Sequence, residues 1–366
     1  MFKKIIFVSI LSGITYAAFS QAPKYSNEFL SIGVGARALG MAGAQVATVN
    51  DVTSGFWNPA GLCLTRGDLQ IALMHNEYFA GIGKFDYGAI AAPIDETRTV
   101  GLSVIRFAID DIIDSTELID ADGNINYERL KSFSAADYAF LFSYSKKAAM
   151  QGLRYGGNFK VIHRKLGPFA SAWGFGLDVG AQYEKNKWRF GAFGKDVTST
   201  FNAWTFNTEE LATVFKQTNN EIPENGMEIT LPKLILGVGY KATISQKFTL
   251  QPEVNLDVTF DGKRNVMIKG DPVSIDPHIG LELGYANFIY LRGGIWNVQT
   301  VKDIDGGNST IIQPTLGVGL KIKNLTIDYA LTNLGKTNDQ IYSNIFSLNL
   351  SIFKVKKNIQ PDKQTN

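Results

Sequence analysis

Histidine, cysteine and paired carboxylates build most active sites and metal centres, and this chain uses few of them in workable spacings. His75, His163 and His278 lie far apart, and no two fall at HExxH or HxH spacing. Cys63 is the single cysteine, so neither an internal disulfide nor a cysteine-cluster zinc site can form. Gly33 to Gly40 contains three glycines, but the third is misplaced for a dinucleotide loop, and no Lys-Ser/Thr follows. Asp120-Ala-Asp-Gly-Asn124 and Asp303-Ile-Asp-Gly-Gly307 begin like calcium loops. In the first, Ile125 stands where an EF-hand needs glycine and Lys131 where it needs glutamate, so both read as Asp-Gly turns. His75 and His163 come without a hydrolase-type serine motif. The residues point away from catalysis, cofactors and metals. The acidic run Asp110, Asp111 and Asp114 reads as a solvated loop able to dock a partner.

Composition agrees. A net charge of +2, from 36 Lys+Arg against 34 Asp+Glu, does not suit a nucleic-acid binder. Hydrophobic residues make up 45% of the chain, which excludes disorder. Lys3 and Lys4 precede an apolar stretch, Ile5 to Phe19, and Ala18-Phe19-Ser20 offers small residues at a cleavage site. Residues 1–20 are thus expected to be a signal peptide. No later apolar run reaches about 18 residues, so a membrane-embedded mature chain has to be a barrel.

The elements that must carry any function alternate with period two. In Phe248 to Phe260 one face holds Phe248, Leu250, Val254, Leu256 and Val258, and the other Thr249, Gln251, Glu253, Asn255 and Asp257. Similar windows at 175–183, 234–240, 316–322, 325–331 and 346–352, with weaker ones elsewhere, give about 14 candidate strands. A soluble stacked-sheet protein alternates too, but its strands average about 5–6 residues, whereas these run to the length that crosses a bilayer. Aromatic residues near strand ends, among them Trp188, Tyr240, Phe248 and Tyr285, suit interfacial girdles. Short turns alternate with long polar stretches at 110–133, 197–230 and 261–275. Residues 207–218 are predicted to form a short helix capped by Thr208. Pro252 and Pro314 fall inside predicted strands, where a bulge or a gap in the wall is expected.

Residues 25–66 break the alternation. They are rich in small side chains around one charge, Arg37, and Asn58-Pro59 favours a turn. A compact piece of this kind can pack inside a lumen too wide for side chains alone to fill. Gly35-Ala-Arg-Ala-Leu-Gly-Met-Ala-Gly-Ala44, the pair Asn50-Asp51, and Trp57-Asn-Pro-Ala-Gly-Leu62 resemble the N-terminal hatch of FadL-like outer-membrane proteins, and most of all the PorV/PorQ group of the Bacteroidota. Ser134 to Phe140 and Ala170 to Asp178 resemble the same group. The chain departs from PorV proper at Val34-Gly-Ala-Arg37 and at Gly61, as a broader PorV-like paralogue would.

The resemblance implies an all-β transmembrane antiparallel barrel of about 14 strands, with an N-terminal hatch plugging the lumen. It would comprise a signal peptide (1–20), the hatch (21–66), an outer-membrane barrel (67–353) and a polar tail (354–366). Gly35, Arg37, Gly40, Gly43, Asp51, Trp57, Asn58 and Pro59 form the hatch motif. The implied role is non-enzymatic and without cofactor, in a Gram-negative outer membrane. The barrel would bind outer-membrane lipid and protein partners of the type IX secretion or surface-attachment machinery. The alternative is a FadL-type channel for a hydrophobic small molecule.

Overall fold

The computed structural model describes residues 26–78, 81–119, 123–217, 221, 226–302, 306–332, 334 and 342–354. The expected leader, residues 21–25, 355–366 of the tail, and the stretches 120–122 and 303–305 of the two Asp-Gly runs lie outside the described residues. In chain order come β1 (Leu69–Tyr78), β2 (Gly83–Pro93), β3 (Arg98–Asp114), β4 (Lys131–Lys147), β5 (Leu153–Leu166) and β6 (Ala170–Lys185). β7 (Trp188–Lys195) is continued past a kink by β8 (Thr200–Phe206), and β9 (Met227–Thr230) runs on into β10 (Lys233–Tyr240) and the short β11 (Ala242–Thr243). Then follow β12 (Phe248–Thr259), β13 (Ser274–Tyr285), β14 (Ile289–Lys302), β15 (Asn308–Ile322), β16 (Leu325–Thr332) and β17 (Ser343–Ile352).

Neighbours pair antiparallel, β7 with β10 and β10 with β12, and β17 returns to β1 from Leu69↔Ile352 to Glu77↔Asn344. Taking β7–β8 and β9–β11 as single staves gives a closed barrel of 14, with no edge left unpaired. Short turns lie at one mouth, with the start of β1 and the end of β17. The longer connections lie at the other, as in an outer-membrane barrel with periplasmic turns and extracellular loops.

The alternation is inside out relative to a soluble protein. On β12, Phe248 and Val254 are exposed while Gln251, Glu253 and Asn255 are buried, so Val254 is not shielded between stacked sheets. Outward apolar positions form a belt six deep on β12, from Phe248 to Val258, and six deep on β13, from Ile275 to Tyr285. An outward-apolar, inward-polar closed sheet is the pattern of a wall facing hydrocarbon. The chain is therefore an outer-membrane-type barrel.

Residues 26–66 lie within the lumen as short helical turns, Glu28–Ser31, Ala36–Leu39, Ser54–Trp57 and Pro59–Leu64. Val34, Ala36, Leu39, Met41 and Ala44 are wholly buried. Inward glycines of the wall make room for them. A Cβ on Gly294 would lie 2.7 Å from the Ala42 backbone nitrogen, and one on Gly280 2.7 Å from the Met41 side chain.

Three expectations about the wall need correction. Asp110, Asp111 and Asp114 are not in a loop, because β3 runs through Asp114 and pairs it with Lys131. A bulge between Ile109 and Ile112 shifts the parity there, which hid the strand from a period-two reading. The stretch 197–230 likewise contains β8 and β9, and its helix spans Thr208–Gln217. Neither proline opens the wall. Pro252 pairs in register with Leu281, and Pro314 sits where β15 extends beyond the end of β16. The ladder is interrupted elsewhere, at residues 196–199 between β7 and β8 and at Leu231-Pro232 between β9 and β10.

Candidate functional site

The eight motif residues all fall in one unit inside the barrel. Gly35 and Gly43 have φ of 82° and 70°, a region other residues adopt at a cost, and Gly43 also lies against the Trp57 ring. Gly40 touches the wall at Gly317, where an added Cβ would come 3.0 Å from its Cα. Trp57 donates from Nε1 to the Val34 carbonyl at 2.9 Å, pinning the two halves of the segment together. Asn58 donates from Nδ2 to the carbonyls of Val46 (2.9 Å) and Ala181 (3.1 Å), one in the segment and one in the wall. Its Oδ1 accepts from the Ala60 amide at 3.2 Å, and Pro59 opens the turn that follows. Asp51 accepts from the Thr53 amide at 2.8 Å and faces Arg37 at 3.7 Å.

Arg37 is the electrostatic anchor. Its Nε and Nη2 donate to the two Glu282 oxygens at 2.9 and 3.3 Å, and its Nη1 to Asn50 at 2.9 Å. Glu282 also accepts from Arg292 Nε at 2.7 Å, and Arg292 Nη1 donates to Asp328 at 2.7 Å. Burial works against the Arg37 charge, but Glu282 and Asp51 outweigh it and hold the guanidinium above its ordinary pKa. A second network sits at the wall's interruption. Lys160 Nζ lies 2.8 Å from Asp178 and in direct contact with Asp196, whose backbone N–H donates to Asp178 at 2.8 Å. Beside it, Lys195 Nζ donates to the Leu30 carbonyl at 2.9 Å and lies over the Phe56 ring. Ser26 and Asn27 hydrogen-bond to Glu228 and Thr230 of β9. The start of the described chain is thus tied to the two staves on either side of the break.

The remaining candidates are structural. His278 is held between the Ala42 carbonyl (2.8 Å) and Asp257 (3.0 Å), and His163 packs on Trp173. The Cys63 thiol is buried beside Ser145, and burial pushes its pKa up, away from reactivity.

The lumen has two unlike halves. Inward positions of β6 to β15 carry most of the charged and amide side chains described above, joined by Lys160 of β5 and Asp328 of β16, with one small apolar patch at Phe193 and Ile235. Those of β1 to β5, with β16 and β17, carry Met74, Phe85, Ile105, Leu141, Ile162 and Ile345. The segment turns Phe29, Leu30, Phe56 and Trp57 towards that greasy side, and Tyr78, Phe107 and Trp296 pack around them, partly buried. Outside the same sector the order is reversed. His75 of β1, Asp86 of β2 and Arg106 of β3 stand opposite one another on the outer face, with contacts of 2.7 and 3.1 Å. Lys84 and Asp110 pair at 2.9 Å beside them.

No family model matches the sequence, and no curated protein does. Among solved structures the chain is similar to the CymD monoaromatic hydrocarbon channel, at 13% identity and a TM-score of 0.55, covering 88% of this chain and 98% of that one. It is similar also to the Pseudomonas putida toluene transporter TodX, at 12% identity and a TM-score of 0.55, over 87% and 98% of the two chains. The Ralstonia pickettii toluene transporter TbuX gives 13% identity and a TM-score of 0.50 over the same shares. At such identities the likeness establishes the fold, a FadL-like barrel, and nothing in it is particular to the PorV/PorQ group.

Proposed function

We propose that the protein is a non-enzymatic outer-membrane channel of the FadL type, whose N-terminal segment acts as a hatch and whose lumen handles a small hydrophobic molecule. One observation carries this reading. The larger apolar cluster of the lumen lies on one side, and the hatch presents Phe29, Phe56 and Trp57 to that side, beside partly buried Tyr78, Phe107 and Trp296. A lumen meant only for water and ions has no use for such a face, whereas an apolar ligand is bound by burying its surface on one. The ladder interruption at 196–199 and 231–232, beside Lys160, Asp178 and Asp196, is where a sideways route through the wall would open. The structurally similar channels make monoaromatic hydrocarbons the first ligands to try.

The test is a fluorescence titration in detergent. With Trp173 and Trp188 replaced by Phe, the signal comes from Trp57, Trp204 and Trp296. Saturable quenching by toluene or a medium-chain fatty acid, lost in Ile105→Asp, is expected. No saturable change would end this reading.

A second reading is favoured by a different feature: a partner-docking barrel in or near type IX secretion, with His75, Asp86, Arg106, Lys84 and Asp110 on the outer wall as its contact face. Ion pairs on a hydrocarbon-facing wall are costly unless something polar covers them. A photo-crosslinker at position 86 in native membranes should then trap a discrete protein. Lipid adducts alone would refute it.

A further inference from the structure

The periplasmic mouth of the barrel is a cup closed at its bottom by the N-terminal segment, and its lining is unlike the rest of the lumen. Arg37, Asn50 and Asp51 of the segment form the floor, with Glu282, Arg292 and Asp328 of the wall beside them. Those charges are matched: both arginines are ion-paired with the three carboxylates. The rim is not. Arg66, Lys241, Lys321 and Lys323 line the same cavity of about 210 Å³, and none makes an ion pair or a side-chain hydrogen bond among the described residues. Lys321 is within electrostatic reach of Arg66, Arg37 and Lys241, so these cations share one field. Neutral donors complete the lining, from Asn287, Asn324, Asn349 and Thr326.

Like charges gathered round a concave mouth raise each other's energy and concentrate counter-ions there. Everywhere else in this lumen a buried or half-buried cation meets a carboxylate or a carbonyl, as Arg37, Lys160, Lys195 and Lys233 do. In the cup Lys321 is half-buried without such a partner, and the exposed Arg66, Lys241 and Lys323 face the same cavity. We infer that the periplasmic cup is a binding site for a small multivalent anion of the phosphate class, held by Arg66, Lys241, Lys321 and Lys323 and by the amide and hydroxyl donors between them. A closed floor and this volume suit a compact anion rather than a folded acidic segment. Because the floor includes Arg37, the bound anion touches wall and segment together. This site is independent of the hydrophobic-ligand reading, which concerns the apolar sector lined by β1 to β5, β16 and β17.

Calorimetric titration of the full chain in detergent with inorganic pyrophosphate tests it. One saturable site that weakens as salt rises is expected. Lys241→Gln with Lys321→Gln and Lys323→Gln should bind about tenfold more weakly or worse. Lys146→Gln with Lys187→Gln, outside the cup, should bind like wild type. Heat-modifiable migration on gels verifies that each variant is folded, and Lys323→Gln, in an exposed turn, provides a minimal variant in which weaker binding is also expected. Absent or non-saturable binding to wild type, or undiminished binding by the triple variant, would overturn the assignment. So would a glutamate hexapeptide that binds more tightly than pyrophosphate.

Discussion

Replacing Glu282 by Gln should loosen the hatch more than replacing its partner Arg37. In the wild type one carboxylate serves two guanidiniums, with Arg37 at 2.9 and 3.3 Å and Arg292 at 2.7 Å. Among the contacts of the Arg37 guanidinium, only Glu282 belongs to the wall, since Asn50 and Asp51 move with the segment. In Arg37→Gln the tether is lost, but Glu282 keeps Arg292, and Asp51, which loses its cation, keeps the Thr53 amide and hydroxyl. The cost is about 1.5–3 kcal/mol, the worth of hydrogen bonds to a charged group. In Glu282→Gln the tether is lost and two buried cations face a neutral amide, which raises the cost to about 3–5 kcal/mol. About 3 kcal/mol corresponds to roughly 150-fold in an equilibrium between seated and unseated hatch. Single-channel recording in planar bilayers reads that equilibrium as the frequency of openings, and heat-modifiable migration shows whether the wall is intact. Openings should be rare in wild type, more frequent in Arg37→Gln and most frequent in Glu282→Gln. The double variant, having removed the surplus cation as well as the carboxylate, should open less than the two single effects predict. Equal effects of the two single variants, or strict additivity in the double, would refute the shared-carboxylate argument.

Other variants probe the fit of the segment and the break in the wall. Gly294→Val forces side-chain atoms into the space of Ala42, so it should raise bilayer conductance while leaving the barrel folded, and wild-type conductance would mean the segment does not seat on β14. Lys160→Met leaves Asp178 and Asp196 facing each other without their cation and should lower urea stability by about 3–5 kcal/mol. Adding Asp178→Asn and Asp196→Asn should restore most of that loss, and a triple variant as weak as the single one would show that the lysine acts through packing instead.

What the sequence discloses depends on how far apart the interacting residues are. The wall is legible because each strand repeats its own chemistry every two residues, as in Phe248 to Val258, and needs no knowledge of its neighbour. The N-terminal segment is legible as an exception to that repeat. Where the parity slips, at the Ile109/Ile112 bulge with Asp111 in left-handed conformation, and again at 196–199, strands pass for loops. The inward glycines act as clearances that no local pattern marks, since Gly280 and Gly294 matter only because Met41 and Ala42 lie against them. The ionic networks were invisible: Arg37 and Glu282 lie 245 residues apart, and no local pattern marks them as partners. Asp110 was singled out for its acidity, yet its partner is Lys84 on the outer wall, 26 residues away.

The height of the apolar belt on the outer face of β1 to β3 decides between the two functional readings. Each outward position adds about 6.7 Å along a strand, or about 5 Å of belt height at a tilt near 40°. Six apolar positions on β12 and β13 therefore span about 26 Å, the height of a hydrocarbon core. On β3 only Val100, Leu102 and Val104 precede Arg106, and on β1 only Leu69, Ile71 and Leu73 precede His75. That belt is about 10 Å high by the same reckoning, so the ionic row falls where the opposite wall is still apolar. Changing His75, Asp86 and Arg106 together to Leu adds one row. If hydrocarbon reaches that height, the variant should gain stability in a bilayer, by up to about 2–4 kcal/mol for the Arg106 charge and less to the extent that Asp86 already neutralises it. Urea unfolding in vesicles measures the gain, and recovery of crosslinked protein from native membranes measures the partner. Greater stability together with loss of a trapped protein would mean the charges exist for that protein. Greater stability with no protein ever trapped would mean the bilayer itself thins there, and the secretion reading would fail. No gain in stability would place the row in water and remove the reason to invoke a partner at all.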